Sequence, residues 1–296
     1  MTFSGALQVT VLTLACAGTP CAGAPFSGER ALAHTRKVVA FGPRPPGSPA
    51  IRKLQSHILA ELKTSGAQVS TDEFTASTPV GPVAMKNLIA RWPGKSGRAV
   101  VFSGHYDTKS MPGIPFVGAN DGGSSTGFLL EMARALAARP RVDDVYLVWF
   151  DGEEAFGPWS ATDGIYGSRH LAARWAREGT LGRLKALINV DMIGDRRLGL
   201  LKDANSTPWL RELVWATAAR LGYGNYFLAG EAGYVDDHEP FLKLGVSALA
   251  LIDFDYGPGN SYWHTPHDTM DKLSAQSFEV VGTVLLEVLK TLEARR

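Results

Sequence analysis

Cysteine is almost absent from this chain of 296 residues. The two cysteines, Cys16 and Cys21, both lie in the first 24 residues. From residue 25 onward the chain can form no internal disulfide, no cysteine nucleophile and no cysteine-based zinc site. Any metal site there must use histidine and carboxylate ligands, which are typical of catalytic rather than structural zinc.

Long apolar runs and an excess of one charge are also missing. After residue 24 no apolar stretch approaches the roughly 20 residues that cross a bilayer. Lys and Arg number 30 against 29 Asp and Glu, and no basic run is interleaved with aromatic residues. We therefore expect no transmembrane segment in the mature chain and no nucleic acid partner.

The first 24 residues differ in composition from everything after them. They contain no charged side chain, and an apolar core from Ala6 to Ala17 precedes small residues at positions 22–24. This pattern resembles an export signal with a small-residue cleavage site, so we expect a periplasmic or secreted mature chain of residues 25–296. The sequence around Cys16 also resembles a lipoprotein processing site, which leaves lipid attachment open.

Helix and strand patterns alternate along the rest of the chain. Core strands are predicted where apolar, β-branched or aromatic residues run together, at 99–103, 145–150, 184–190 and 248–252. Amphipathic patterns predict helices at 27–39, 50–65, 208–221 and 274–293. Segments 69–74 and 86–92 alternate in polarity and predict a hairpin at the sheet edge. Together these elements predict one α/β domain with a mixed, mainly parallel central sheet flanked by helices.

Polar side chains follow three of the predicted core strands. These potential ligands are His105 and Asp107, Glu153 and Glu154, and Asp191. Because parallel strands deliver their carboxyl ends to one edge, where ligands bind in open α/β sheets, we expect these groups to converge. Adjacent glutamates there suggest one that holds a metal and one that moves a proton. Taken alone, a pair such as Glu153 and Glu154 is more typical of a solvated acidic turn after a strand.

A candidate metal-ligand set can be assembled from three separate motifs. A mononuclear catalytic zinc requires three protein ligands and one open position, and Asp121, Glu154 and His264 offer such a set. Two of them have an ordinary alternative. Taken alone, Asp121 fits a helix N-cap equally well, whereas a single loop histidine such as His264 is more typical of packing against an aromatic neighbour, here Trp263.

Seven motifs, in order, resemble the zinc aminopeptidase fold family: GHYDT, ANDGGSS, FDGEEAF, YGSRHL, NVDMIG, DDHEPF and WHTPHDT. They belong to a similarity that spans about residues 27–285. GPRPPGSP near the start, YGSRHLAA, VDDHEPF and Trp159 after FDGEEAF are more specifically similar to the glutaminyl cyclases. Those enzymes convert an N-terminal glutamine to pyroglutamate and release ammonia. The resemblance implies one Zn²⁺ and, as substrate, the N-termini of peptides or proteins.

Residue roles follow from that resemblance. The zinc ligands it implies are Asp121, Glu154 and His264. Glu153 is implied as the general base and acid that carries one proton from the substrate amine to the departing ammonia. Two further carboxylates are implied beside it, at Asp191 and Asp236. Clustered carboxylates raise one another's pKa, which lets one of them hold a proton near neutral pH.

Two tryptophans and two departures concern the substrate pocket. Trp159 and Trp263 are expected to wall a small pocket for the glutamine side chain. Val235 stands where some cyclases carry Gln, and Gly259 stands where an aromatic residue would line the pocket. Both departures affect the expected fit of the substrate rather than the zinc site.

The second hypothesis is a dizinc aminopeptidase that uses the same residues differently. His105 and Asp191, with Asp121 as a bridging ligand, would then hold a second zinc, and Glu153 would activate water to cut a peptide bond. All five ligand positions are filled in this sequence, so the ligand set excludes neither activity. A third hypothesis, a non-catalytic binding domain, is disfavoured because every candidate ligand and Glu153 are present.

Overall fold

The computed structural model describes residues 25–137 and 139–295, together with Met1. The expected export signal and Cys16 lie outside the described residues. Among the helices that are described, none combines the length and apolar character needed to cross a membrane. The fold that positions the candidate ligands is built from the strands and helices that follow.

A six-stranded sheet forms the centre of the molecule. Its strands are β1 Gln68–Thr78, β2 Gly81–Trp92, β3 Ala99–His105, β4 Asp144–Phe150, β5 Leu184–Asp191 and, after two strands of a second sheet, β8 Ala248–Ile252. The spatial order is β1-β2-β4-β3-β5-β8. Strands β4, β3, β5 and β8 pair in parallel, whereas β2 is antiparallel to both β1 and β4. The prediction of a mixed, mainly parallel sheet with an edge hairpin is confirmed.

Seven α-helices are formed by the described residues: α1 Gly28–Val39, α2 Pro49–Leu62, α3 Gly123–Ala137, α4 Tyr166–Arg177, α5 Pro208–Arg220, α6 Glu239–Lys243 and α7 Ala275–Ala294. Serine caps begin three of them, because the hydroxyls of Ser27, Ser48 and Ser274 accept backbone N–H groups of the first turn. The segment 41–48, rich in Pro and Gly, separates α1 from α2, as the sequence pattern predicts.

The core strands are buried on both faces. In β4 the side chains of Val145, Leu147 and Trp149 join one hydrophobic cluster, which includes residues of α1, α3 and α7. The alternating Val148 and Phe150 join a second cluster, which includes residues of α4 and α6. This alternation places helices on both faces of the sheet and explains why β3 and β4 are continuously apolar in sequence.

One part of the fold differs from the sequence-based expectation. Strands β6 Leu200–Asp203 and β7 Phe227–Ala232 form a separate two-stranded parallel sheet that the polarity pattern did not predict. β6 has only four residues, and most of β7 is exposed, so neither carries a clear alternation. The second sheet matters for the site because Ala232 and the residues after it form one wall of a cavity.

Candidate metal and catalytic centre

The carboxyl ends of the parallel strands bring the predicted ligands to one edge of the sheet. His105 is the last residue of β3 and Asp191 the last of β5, while Glu153 and Glu154 follow β4. Asp121 lies two residues before α3. His264 and Asp236 reach the same edge from loops beside β8 and before α6. The convergence expected from the strand ends is therefore present.

Asp121, Glu154 and His264 form the first candidate metal cluster, with one potential ligand atom from each lying within 4.8 Å of the others. The Nε2 atom of His264 lies 2.9 Å from Glu154 Oε1 and 3.2 Å from Asp121 Oδ2. Asp121 Oδ2 is buried and accepts no hydrogen bond of normal geometry. A buried, unsatisfied carboxylate oxygen beside a second carboxylate and an imidazole suits a divalent cation such as zinc.

A second cluster shares Asp121 with the first. His105 Nε2 lies 3.2 Å from Asp121 Oδ1 and 3.1 Å from Asp191 Oδ1, and these three residues also meet the distance requirement for a metal site. The other imidazole nitrogen of His105 faces Asp107 Oδ1 at 3.4 Å. All five ligand positions of the dizinc alternative are thus assembled, although His105 is fully buried.

Asp107 holds the backbone of the two glutamates. Its two carboxylate oxygens accept the backbone N–H groups of Glu153 and Glu154, each at 3.2 Å. Sequence reasoning placed Asp107 among the potential ligands of the sheet edge. In the structure it belongs to neither metal cluster and instead fixes the backbone that carries one cluster member and the candidate base.

Backbone conformation around the site is constrained. Gly152 adopts φ +68°, and a Cβ there would lie 2.6 Å from Met85 Sδ, so the tight turn into Glu153 requires glycine. His264 adopts φ +52° although it is not glycine. Such a conformation costs about 1–3 kcal/mol and persists only where surrounding contacts hold it.

The two histidines shift the ionisation of the carboxylates around them. Burial opposes the charge of Asp121, but its contacts with His105 and His264 outweigh that effect and hold its pKa well below the ordinary value. Burial, together with the charges of Asp121 and Asp236, raises the pKa of Asp191 to about 7 against the opposing effect of His105. Neighbouring carboxyl groups in this site therefore have widely separated pKa values.

Glu153 has the environment of a proton carrier. Burial raises its pKa well above the ordinary value, and the charges of Glu154, Asp236 and Asp237 add to that effect while His105 opposes it. Its side chain nevertheless lines a cavity, so a substrate atom can reach it. A carboxyl group with a raised pKa holds a proton more readily than an ordinary carboxylate, which suits general base and acid chemistry.

A cavity of about 650 Å³ opens onto these carboxyl groups. Glu153, Asp191 and Asp236 line it together with Asp121, Glu154 and His264, whereas His105 does not. The amide of Asn189 donates a hydrogen bond to Asp236 Oδ2 at 2.9 Å and fixes that carboxylate at the cavity wall. The cavity thus joins the first metal cluster and the candidate proton carrier in one open space.

Aromatic rings line part of the same cavity, next to His264. Trp263 stacks on His264 with ring centroids 4.0 Å apart, and Phe254 lies 4.8 Å from Trp263. Tyr234 continues the wall beside Phe254, and Trp159 stands at the mouth with 43% of its surface exposed. Both predicted tryptophans therefore line the cavity.

Sequence reasoning missed part of this wall and one charged neighbour. Tyr234 and Phe254 line the cavity, whereas Gly259, the position where an aromatic residue was expected, does not. Phe254 lies two residues after β8, and its place beyond a parallel strand end was the signal that could have revealed it. Lys109 also lines the cavity, with its ammonium 3.6 Å from Glu154 Oε2, and no sequence pattern marked it.

Comparison with known proteins decides the family. The model of peptidase family M28 matches residues 87–289. A glutaminyl-peptide cyclotransferase-like protein of Bos taurus is 33% identical, and the match covers 82% of this chain and 70% of that protein. The chain belongs to peptidase family M28, within its glutaminyl-peptide cyclotransferase branch.

Solved structures agree with the glutaminyl-peptide cyclotransferase assignment. The crystal structure of an Acidobacteriales bacterium glutaminyl cyclase is 42% identical with a TM-score of 0.90, and the match covers 97% of this chain and 100% of that one. A Zn-dependent exopeptidase from Parabacteroides distasonis is 26% identical with a TM-score of 0.81, covering 93% of this chain and 100% of that one. The M28 scaffold is therefore common to cyclases and exopeptidases, and zinc is the metal that this family suggests.

Proposed function

We propose that this chain is a zinc-dependent glutaminyl cyclase, which converts the N-terminal glutamine of peptides or proteins to pyroglutamate and releases ammonia. The observation that carries this conclusion is the likeness, over 97% of the chain, to a solved glutaminyl cyclase with a TM-score of 0.90. The ligand geometry alone suits both a cyclase and an exopeptidase, so the substrate assignment depends on that likeness.

One zinc ion would be held by Asp121, Glu154 and His264. These three residues line the cavity, as a catalytic zinc with an open position requires, whereas His105 of the second cluster is fully buried. When bound there, zinc supplies a Lewis acid that polarises the γ-carboxamide carbonyl of the substrate glutamine.

Glu153 would move the proton in both halves of the reaction. Its carboxylate accepts a proton from the α-amine as the amine nitrogen bonds to Cδ, the carbonyl carbon of the side-chain carboxamide. The same carboxyl group then gives that proton to the amide nitrogen as the bond from Cδ to that nitrogen breaks, and ammonia leaves. The raised pKa of Glu153 favours its protonated form more than in an ordinary carboxyl group, and the second half of the reaction requires that form.

Asp191 and Asp236 would share protons with Glu153. Both line the cavity, and the charge of Asp236 raises the pKa of Glu153. Trp263, Phe254 and Trp159 would enclose the glutamine side chain and keep water from competing with the amine. Excluding water slows hydrolysis, for which water is the nucleophile. Cyclisation is not slowed, because its nucleophile, the α-amine, is part of the substrate.

The mature enzyme would be residues 25–296, a single catalytic domain exported to the periplasm or secreted. This proposal is supported by the uncharged, apolar composition of residues 1–24. Mass spectrometry of the mature N-terminus tests it. A terminus at residue 25 supports signal cleavage, a lipid-modified Cys16 supports anchoring, and an intact Met1 contradicts both.

The second candidate is a dizinc aminopeptidase, and the assembled cluster of His105, Asp121 and Asp191 favours it. Two peptides that differ only in their first residue separate the candidates. Ammonia from a Gln-initiated peptide, with one zinc per chain, supports the cyclase. Free leucine from a Leu-initiated peptide, with two zinc ions per chain, supports the aminopeptidase and overturns the cyclase proposal.

A further inference from the structure

A second depression adjoins the mouth of the catalytic cavity. It has a volume of about 500 Å³, lies between α4 and α6, and shares Trp159 and Val235 with the cavity. We call it the outer groove. The two depressions are therefore neighbours, separated by no more than these two shared side chains.

The outer groove is lined mostly by apolar side chains. Trp159, Val235 and Leu244 line it and are 43%, 49% and 49% exposed. Buried Ile165 and Pro240 also line it. Exposed apolar side chains scattered singly need no explanation, but three that line one depression mark a binding surface.

The charged side chains of the outer groove are already engaged within the fold. The guanidinium of Arg169 donates to the carbonyl oxygens of Ala161 and Thr162, each at 2.9 Å. The ammonium of Lys243 lies 2.7 Å from Glu239 Oε2, one helical turn away. Both cations already have partners within the fold, so apolar contact is the interaction that distinguishes this groove.

We propose that the outer groove binds an apolar side chain of the substrate peptide, contributed by one of the residues two to four. The inference rests on the proposed function, which places the first residue beside Glu153. Each further residue of an extended chain advances by about 3.3–3.6 Å, so the residues directly after the first are those that cross Trp159 and Val235. The enzyme therefore prefers N-terminal glutamine followed by a nearby aliphatic residue.

This preference should change KM and leave kcat unaffected. The outer groove contacts a part of the substrate that does not react, so it binds ground state and transition state equally. An aliphatic side chain in the groove lowers KM and leaves kcat unchanged. Leu244 lines the groove but not the catalytic cavity, so its replacement isolates this contribution.

The test compares Gln-Gly-Gly-Gly-amide with the three peptides in which one glycine is replaced by leucine. With the purified zinc-loaded enzyme, leucine at one position raises kcat/KM about tenfold, the order expected for partial burial of one aliphatic side chain. Leu244→Ser reduces that gain to less than about twofold and leaves the all-glycine peptide unchanged. Leu228→Ser, an equally drastic change of an exposed leucine on β7, preserves the gain.

A second variant adds charge to the same surface. Ala173 is exposed on α4 and lines the outer groove, so Ala173→Glu abolishes the leucine gain and instead favours lysine at that peptide position. Equal kcat/KM for all four peptides, or a leucine gain that survives Leu244→Ser, overturns the groove proposal while the cyclase remains. Absence of ammonia from every Gln-initiated peptide overturns the proposed function itself. In that case the outer groove has no role in cyclisation either.

Discussion

Asp268 accepts the backbone N–H of Asp121 at 3.1 Å, across 147 residues of sequence. The other oxygen of Asp268 accepts the backbone N–H of Asn120 at 2.8 Å and the hydroxyl of Tyr256 at 2.8 Å. Asp268 lies four residues beyond His264, so the loop that carries one candidate ligand also fixes the turn that carries another. Burial, reinforced by the charge of Asp121, raises the pKa of Asp268 to about 7.

Asp268→Asn should therefore weaken zinc binding without touching a ligand. Asparagine offers one acceptor oxygen where aspartate has two, so one of the two bonded N–H groups faces an NH₂ group instead. Loss of such an outer contact typically costs about 10- to 100-fold in metal affinity. Competition with a chelator measures the change, and exposed Asp271→Asn is the control. A zinc affinity within twofold of wild type would show that the turn at Asp121 keeps its conformation without the Asp268 carboxylate.

His264→Ala should remove the metal altogether. This substitution takes away the imidazole of the first cluster, leaving two carboxylates that hold zinc poorly. We expect zinc content below one tenth of the wild-type level and no measurable cyclisation. His267→Ala, at an exposed position of the same loop, should keep both. A fully occupied zinc in His264→Ala would mean that His105, Asp121 and Asp191 form the principal site.

Glu153→Gln should separate catalysis from metal binding. The amide keeps the shape of the side chain but cannot take a proton from the amine, so kcat should fall by about 10²- to 10⁴-fold. Zinc content should not change, because Glu153 is not a member of either candidate cluster. The exposed change Glu212→Gln serves as the matched control. Retention of more than a tenth of wild-type turnover would assign the proton transfer to another carboxyl group.

The sheet edge could be predicted from the sequence because the core strands are unbroken runs of apolar residues. β3 and β4 are buried on both faces, so their apolar runs are unbroken and the polar residues after them stand out. Parallel pairing then requires that those residues meet. The seven motifs predicted the family, which the comparisons confirm.

The parts that could not be predicted depend on contacts between distant residues. Asp107 carries the same chemical groups as a ligand, and only the folded backbone shows that it bonds to the N–H groups of Glu153 and Glu154. α6 has five residues, less than two helical turns, so periodicity could not locate its start. The place of Lys109 beside Glu154 likewise arises from loop packing that no local pattern records.

The stability of the folded protein should depend on pH through Asp253. This residue is 1% exposed at the end of β8 and accepts the backbone N–H of Gly199 at 2.9 Å. Burial raises its pKa to about 7, with added repulsion from Asp195 and Asp255. In the unfolded chain the pKa of an aspartate is about 3.9. Between these two values the folded state binds more protons than the unfolded state, so stability falls as pH rises.

Asp253→Asn removes this titration. The difference in unfolding free energy between the variant and wild type, measured against pH, therefore reports the contribution of Asp253 alone. Wild type should lose stability relative to the variant as pH rises from about 4 to 7, by a few kcal/mol in order of magnitude, and the difference should be constant above pH 7. Urea unfolding at pH 5, 6, 7 and 8 measures the difference. The exposed Asp271 has its pKa lowered to about 2 by Lys272 and Thr269, so it titrates below this range. Asp271→Asn should therefore give a pH-independent difference, and the same flat result for Asp253→Asn would show that its carboxylate stays ionised throughout.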